Sequence, residues 1–131
     1  MKKEIKISSN LENLCKVEKL IDEVSDSCKL NTDIYGKVLV ATVEAVNNSI
    51  VHGNKYASEK DVVITVSLEG SKLHIFVKDQ GIGFDYENVP DPTTPENIEN
   101  ISGRGVFLMK HLADSIVFYD NGSRIELIFN L

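Results

Sequence analysis

DVVITVSLEGSKLHIFVKD, residues 61–79, reads as two strands and the turn between them. Val62, Ile64, Val66 and Leu68 alternate with polar or smaller residues. After Glu69-Gly70-Ser71-Lys72, Leu73, Ile75 and Val77 alternate again. Apolar residues at a period of two, interrupted by a glycine turn, are the pattern of an antiparallel hairpin with one buried face. Such a face needs a cover, and the chain has helical periodicity on both sides of the hairpin.

Upstream, Lys3 to Ser8 alternates through Ile5 and Ile7 as a short strand. Asn10 is suited to cap a helix running to about Cys28, with Leu14, Val17, Leu20, Ile21 and Val24 at helical spacing. Asn31, Thr32 or Asp33 can cap a second helix, whose core stripe is Ile34, Val38, Ala41, Ala45 and Val46 and whose stop signal is Gly53. Downstream, the pattern stops from Phe84 to Ser102, a stretch holding all three prolines, and a loop this long in a small domain reads as a lid. Helical spacing returns from Gly105 to Ala113. Ile116 and Phe118 begin a strand, Asn121-Gly122 is a turn, and Ile125, Leu127 and Phe129 close the chain as an edge or penultimate strand. The order β-α-α-β-β-lid-α-β-β predicts an α+β fold: a two-layer α/β sandwich with helices on one face of a mixed, mainly antiparallel sheet. Residues 1–131 form one domain in this reading, with the lid at about 85–102.

A length of 131 residues, 42% of them apolar, fits a single core. The net charge of −6 leaves little driving force for contact with a phosphate backbone or an anionic membrane surface, which disfavours nucleic acid and membrane as partners. The start MKKEIKISSN lacks a signal peptide's apolar run and no stretch is apolar enough to span a bilayer, so a cytoplasmic location is expected. Cys15 and Cys28 have no metal-type spacing and read as reduced thiols.

Three segments carry chemistry: EAVNNSIVHGN at 44–54, DQGIGFD at 79–85 and GRGVFLMK at 103–110. Glu44 and Asn48 share one helical face. They read either as a solvated polar stripe or as a base beside an amide oxygen for Mg²⁺, which favours hard oxygen ligands. Asn47 points elsewhere on the helix. His52 either caps the last carbonyls or approaches phosphate. Asp79 at a strand end either makes an Asx turn or accepts a hydrogen bond from an exocyclic amino group of a purine. Gly81 and Gly83 permit positive φ and close approach to a flat ring, with Ile82 packed at the base and Phe84 at the rim. Gly103 and Gly105, just before a helix and followed by Val106, suit phosphate at a helix N-terminus. Arg104 between them is either solvated or reaches the terminal phosphate. A carboxylate, an amide and two glycine-rich turns together make nucleotide binding the leading reading.

In this order the segments resemble the N, G1 and G2 boxes of the Bergerat-fold (GHKL) ATPases. The HG after the N box and GRGVFLMKHLADSIVFY resemble the anti-sigma factor serine kinase branch of that superfamily. The resemblance covers about residues 34–130. It implies a Bergerat ATP-binding fold, ATP or ADP with a magnesium ion (Mg²⁺), Glu44 as general base and Asn48 as Mg²⁺ ligand. It further implies Asp79 reading the adenine amino group, Gly81 and Gly83 lining the base, and Gly103 and Gly105 serving the phosphates beneath the lid. Where some kinases of the branch carry an arginine two residues before the first G2 glycine, this chain has Ile101. The implied activity is serine/threonine kinase action on a small antagonist (anti-anti-sigma, STAS-like) protein, with a sigma factor as a second partner and a homodimer as the assembly. The alternative is a non-catalytic switch whose protein affinity depends on bound ATP or ADP.

Overall fold

A computed structural model describes residues 1–83 and 101–131, without the side chains of 101–104. The chain runs β1 (Lys2–Ser8), α1 (Leu14–Cys28), α2 (Thr32–Asn48), β2 (Asp61–Glu69), β3 (Lys72–Lys78), α3 (Ile101–Leu112), β4 (Ser115–Tyr119) and β5 (Arg124–Asn130). The lid expected at about 85–102 lies outside the described residues, apart from the start of α3.

Local chemistry accounts for the element ends. Asn10 Oδ1 accepts from Glu12 N at 2.9 Å, which opens a single 3₁₀ turn ahead of α1. Asn31 Oδ1 accepts from Ile34 N at 2.9 Å and caps α2. Gly70 takes φ +62° in the β2–β3 turn, a conformation that suits glycine. Asp120, Asn121 and Gly122 all have positive φ, so the β4–β5 turn is one residue wider than Asn121-Gly122 alone suggests.

The five strands lie in the order β1-β2-β3-β5-β4, and every pair is antiparallel. The expected mixed sheet is therefore corrected to a fully antiparallel one. The crossover β3–α3–β4 does leave β3 and β4 running in the same direction, but β5 inserts between them and pairs with both. No parallel ladder forms among the described residues. The core joins Ile7, Ile64, Ile75, Val77, Leu127 and Phe129 of the sheet to Val17, Ile21, Val38, Ala45 and Met109 of the helices, all on one sheet face. On the other face Glu126 accepts from Tyr119 Oη at 2.8 Å and lies 2.7 Å from His74 Nδ1. The helix α2 packs against both α1 and α3, so whatever it carries toward α3 is held by the centre of the helical layer. No described helix is long and apolar enough to cross a membrane.

The helix α3 opens earlier than the glycine pair of 103–110 led it to be expected. The helix begins at Ile101, so Gly103 and Arg104 lie in its first turn and Gly105 follows inside it, rather than all three preceding it. Two glycines in a helix cost about 1 kcal/mol each, which is why the sequence reads as a later start. Packing on α2 offsets that cost.

Candidate functional site

The site is built on the C-terminal half of α2. Glu44 and Asn48 stand one turn apart on the side that faces α3, and only 7% of the Asn48 surface remains exposed. A methyl group on the Gly105 Cα would stand 3.0 Å from Asn48 Oδ1, 3.1 Å from Nδ2 and 3.2 Å from Glu44 Oε2. The first α3 segment thus approaches the carboxylate and the amide because residue 105 has no side chain. Two of the three sequence segments meet here.

Beyond Asn48 the helix widens. Ser49–Gly53 forms a π-helical turn, a form found mostly as single turns and often at functional sites. This turn carries Gly53 onto the residue that ends the β3 segment, Asp79. A side chain on Gly53 would overlap the Asp79 carboxylate, and one on Gly81 would overlap the Gly53 carbonyl. The second pair of segments meets through these two glycines.

Asp79 is held by two hydrogen bonds. Its N–H donates to the Ser123 carbonyl at 2.9 Å, and its Oδ1 accepts from Gly81 N at 2.8 Å. The Asx turn is therefore real, and it occupies one carboxylate oxygen only. With 6% of its surface exposed, the Asp79 carboxyl is pushed above the usual carboxylate range by burial, against the opposing pull of the Gly81 N–H, Ser49 and Lys60. Ser49 favours the ionised form from nearby, although its buried hydroxyl closes no hydrogen bond of ordinary geometry. A carboxylate with a remaining acceptor and an unpaired neighbouring hydroxyl can take a ligand that brings both a donor and an acceptor.

The other expected site residues are placed as follows. Gly83 has φ +92° and packs on the Asn121 carbonyl, so at both Gly81 and Gly83 the closest neighbour is protein backbone. Ile82 was expected against the base, but it stands 91% exposed in solvent. His52 is exposed in the π turn. Val106 is buried in the core, which leaves its backbone as the part able to face a ligand. Gly103 and Arg104 belong to the first turn of α3, and the Arg104 side chain and Phe84 lie outside the described residues.

Two polar residues at the site escape a sequence reading. Ser49 follows Asn48 directly and looks like a helix surface position, and Asn54 follows the glycine stop and looks like an ordinary cap. Only the π turn, which has no clear sequence signature, turns both inward.

The donor set fits Mg²⁺ of one particular kind. Asn48 offers a single hard oxygen in a nearly buried position against a cradle that a side chain at 105 would fill. Among the described residues no group of three or more His, Cys, Asp or Glu could enclose a metal by itself. One protein oxygen supplemented by phosphate oxygens and water is a usual way of holding Mg²⁺.

This chain is similar to several known proteins. An anti-sigma F factor of Anoxybacillus flavithermus is 34% identical over 107 residues, covering 76% of this chain and 71% of that protein. One from Bacillus subtilis is 36% identical over 87 residues, 64% of this chain and 59% of that protein. The serine-protein kinase RsbW of Listeria monocytogenes is 29% identical over 95 residues, 67% of this chain and 60% of that protein. The chain thus spans about three fifths to seven tenths of the length of these relatives. The crystal structure of the RsbU and RsbW domains of Rv1364c from Mycobacterium tuberculosis superposes with a TM-score of 0.67 over all of this chain and 32% of that one. At 14% identity, that likeness speaks to the fold alone. The description of the matching family is histidine kinase-like ATPase domain, and its model spans residues 7–129. With that match over nearly its whole length, the chain belongs to the histidine kinase-like ATPase domain family.

Proposed function

We propose that this protein binds ATP with Mg²⁺ and transfers the γ-phosphate to a serine or threonine hydroxyl of a small antagonist protein, and through that partner regulates a sigma factor. The observation that carries the proposal is the meeting of Glu44 and Asn48 with the Gly105 backbone where α2 faces α3, followed along the same chain by the π turn whose Gly53 abuts the half-paired Asp79 carboxylate. The names of the relatives, anti-sigma F factor and serine-protein kinase, support the same reading, in which the acceptor is a STAS-like antagonist. A cytoplasmic location and a homodimer go with it.

In this mechanism Asp79 takes the base. Its free oxygen accepts from an exocyclic amino group, which favours adenine over a base with a carbonyl there, because an ionised carboxylate has no donor. Asn48 Oδ1 would hold Mg²⁺, which when bound neutralises phosphate charge. Backbone N–H groups of the first turn of α3 face the phosphates. Glu44 accepts the hydroxyl proton while the acceptor oxygen bonds to the γ-phosphorus and the bond to the β–γ bridging oxygen breaks, releasing ADP.

Calorimetric titration tests the nucleotide site. Wild-type protein is expected to bind Mg-ATP in preference to Mg-GTP, and Asn48→Ala to weaken Mg-ATP binding by roughly tenfold or more. Asp79→Asn is expected to cut the ATP-over-GTP preference by roughly 10- to 100-fold, because an amide accepts from adenine or donates to guanine according to its flip. No heat with either nucleotide up to millimolar concentration would sink the reading.

A further inference from the structure

We infer that Asn54 is the positioning residue that sets adenine selectivity, by fixing the Asp79 segment against the end of α2. The inference rests on the nucleotide reading above and adds to it a residue that touches neither base nor phosphate.

Asn54 is 1% exposed, and its carboxamide makes three hydrogen bonds. Oδ1 accepts from Gln80 N at 2.8 Å, directly after Asp79 in the chain. Nδ2 donates to Ser9 Oγ at 2.8 Å and to the Asp61 carbonyl at 3.0 Å. One side chain therefore joins the exit of β1, the entry of β2 and the exit of β3. Its own backbone N–H closes the π turn on the Ser49 carbonyl at 2.7 Å, so the clamp is built onto the helix that carries Glu44 and Asn48. The next two residues, Lys55 and Tyr56, both have left-handed backbone, at φ +52° and +61°. Two successive non-glycine residues in that region are unfavourable by about 1–2 kcal/mol each, and they persist only where surrounding contacts impose them.

The consequence concerns distance and angle. Asp79 can select a base only if its second oxygen is held still relative to the proposed phosphate end of the site, at Asn48. The Ser123 carbonyl holds Asp79 N from the sheet side, but the sheet is a different element from α2. Among the described side chains, Asn54 makes the hydrogen bond that ties this segment to the α2 end. Without it the carboxylate keeps its charge and its Asx turn but loses its register against Asn48.

The arms of the network can be cut separately. Asn54→Ala removes all three hydrogen bonds. Asn54→Asp keeps an acceptor for Gln80 N and loses the donors to Ser9 and Asp61. Ser9→Ala removes one arm remote from Asp79. The probes are Mg-ATP and Mg-GTP titrated into each protein, with thermal melting alongside. Asn54→Ala is expected to reduce the ATP-over-GTP affinity ratio by roughly tenfold, the scale of one misaligned buried hydrogen bond. Asn54→Asp is expected to lower the melting temperature while retaining most of that ratio, and Ser9→Ala to lower the melting temperature alone. If Asn54→Ala is destabilised but discriminates like wild type, Asn54 is only a structural strut and the inference is overturned. Should Asn54→Ala not fold, a ratio in Asn54→Asp reduced as far as in Asp79→Asn overturns it, and a retained ratio supports it. A wild type that binds neither nucleotide, or both alike, instead refutes the underlying nucleotide reading.

Discussion

Glu44→Gln is expected to slow phosphoryl transfer by about 10²- to 10⁴-fold, the usual contribution of a positioned general base. Glutamine keeps the shape of glutamate, so the approach of the Gly105 backbone, which leaves 3.2 Å between a methyl position there and Glu44 Oε2, is preserved. The affinity for Mg-ATP is accordingly expected to change by no more than a few-fold, because the base is needed in the transition state and not for ground-state binding. The measurement is single-turnover transfer of γ-labelled phosphate to a candidate antagonist, with the dissociation constant from calorimetry on the same preparation. Equal losses in rate and affinity would mean that Glu44 organises the nucleotide. Undiminished transfer would remove Glu44 from the chemistry, whereas a wild type that binds Mg-ATP yet labels no antagonist would favour a nucleotide-dependent switch.

How far the sequence carries depends on the range of the interactions involved. The cap at Asn31 joins residues three positions apart and was one of three adjacent candidates in the local pattern, whereas Asn10 caps only the 3₁₀ turn ahead of the helix it was expected to cap. The β2–β3 hairpin was legible, since its register follows from a tight turn and a period of two. The insertion of β5 between β3 and β4 was not, because pairing across the β3–β5 ladder joins segments separated by a helix and a strand. Within the site, Glu44 and Asn48 announce themselves by helical spacing, and Asp79 by its place at a strand end beside glycines. Asn54 does not, because its side-chain partners Ser9, Asp61 and Gln80 lie 45, 7 and 26 residues away. The glycines show a subtler limit. Gly81 reads as space for a ligand ring, whereas in the fold its missing side chain first makes room for the Gly53 carbonyl. Sequence reveals that bulk is forbidden at such a position, and only the assembled neighbours reveal what forbids it.

That distinction gives the second large effect. Gly53→Ala is expected to lower the melting temperature by roughly 5–15 °C, from an overpacking cost of about 1–3 kcal/mol, and to weaken ATP binding at least about tenfold. The added methyl would overlap the Asp79 carboxylate, which cannot easily retreat. Its backbone N–H is bonded to the Ser123 carbonyl at 2.9 Å, its Oδ1 to Gly81 N at 2.8 Å, and the following residue to Asn54 at 2.8 Å. The Gly53 backbone does not require positive φ, so the penalty is one of contact and not of conformation. Gly36 in α2 is the matched control: nothing lies within 4 Å of a methyl there, and Gly36→Ala is expected to stabilise the protein by about 0.5–1 kcal/mol through helix propensity. A double-mutant cycle with Asp79→Ala then separates collision from general damage. Removing the carboxylate should relieve most of the Gly53→Ala destabilisation, giving a coupling of about 0.5–3 kcal/mol between positions 53 and 79. If the alanine costs as much without the carboxylate as with it, the two residues do not meet as described, and the α2 end is not the wall against which Asp79 is set.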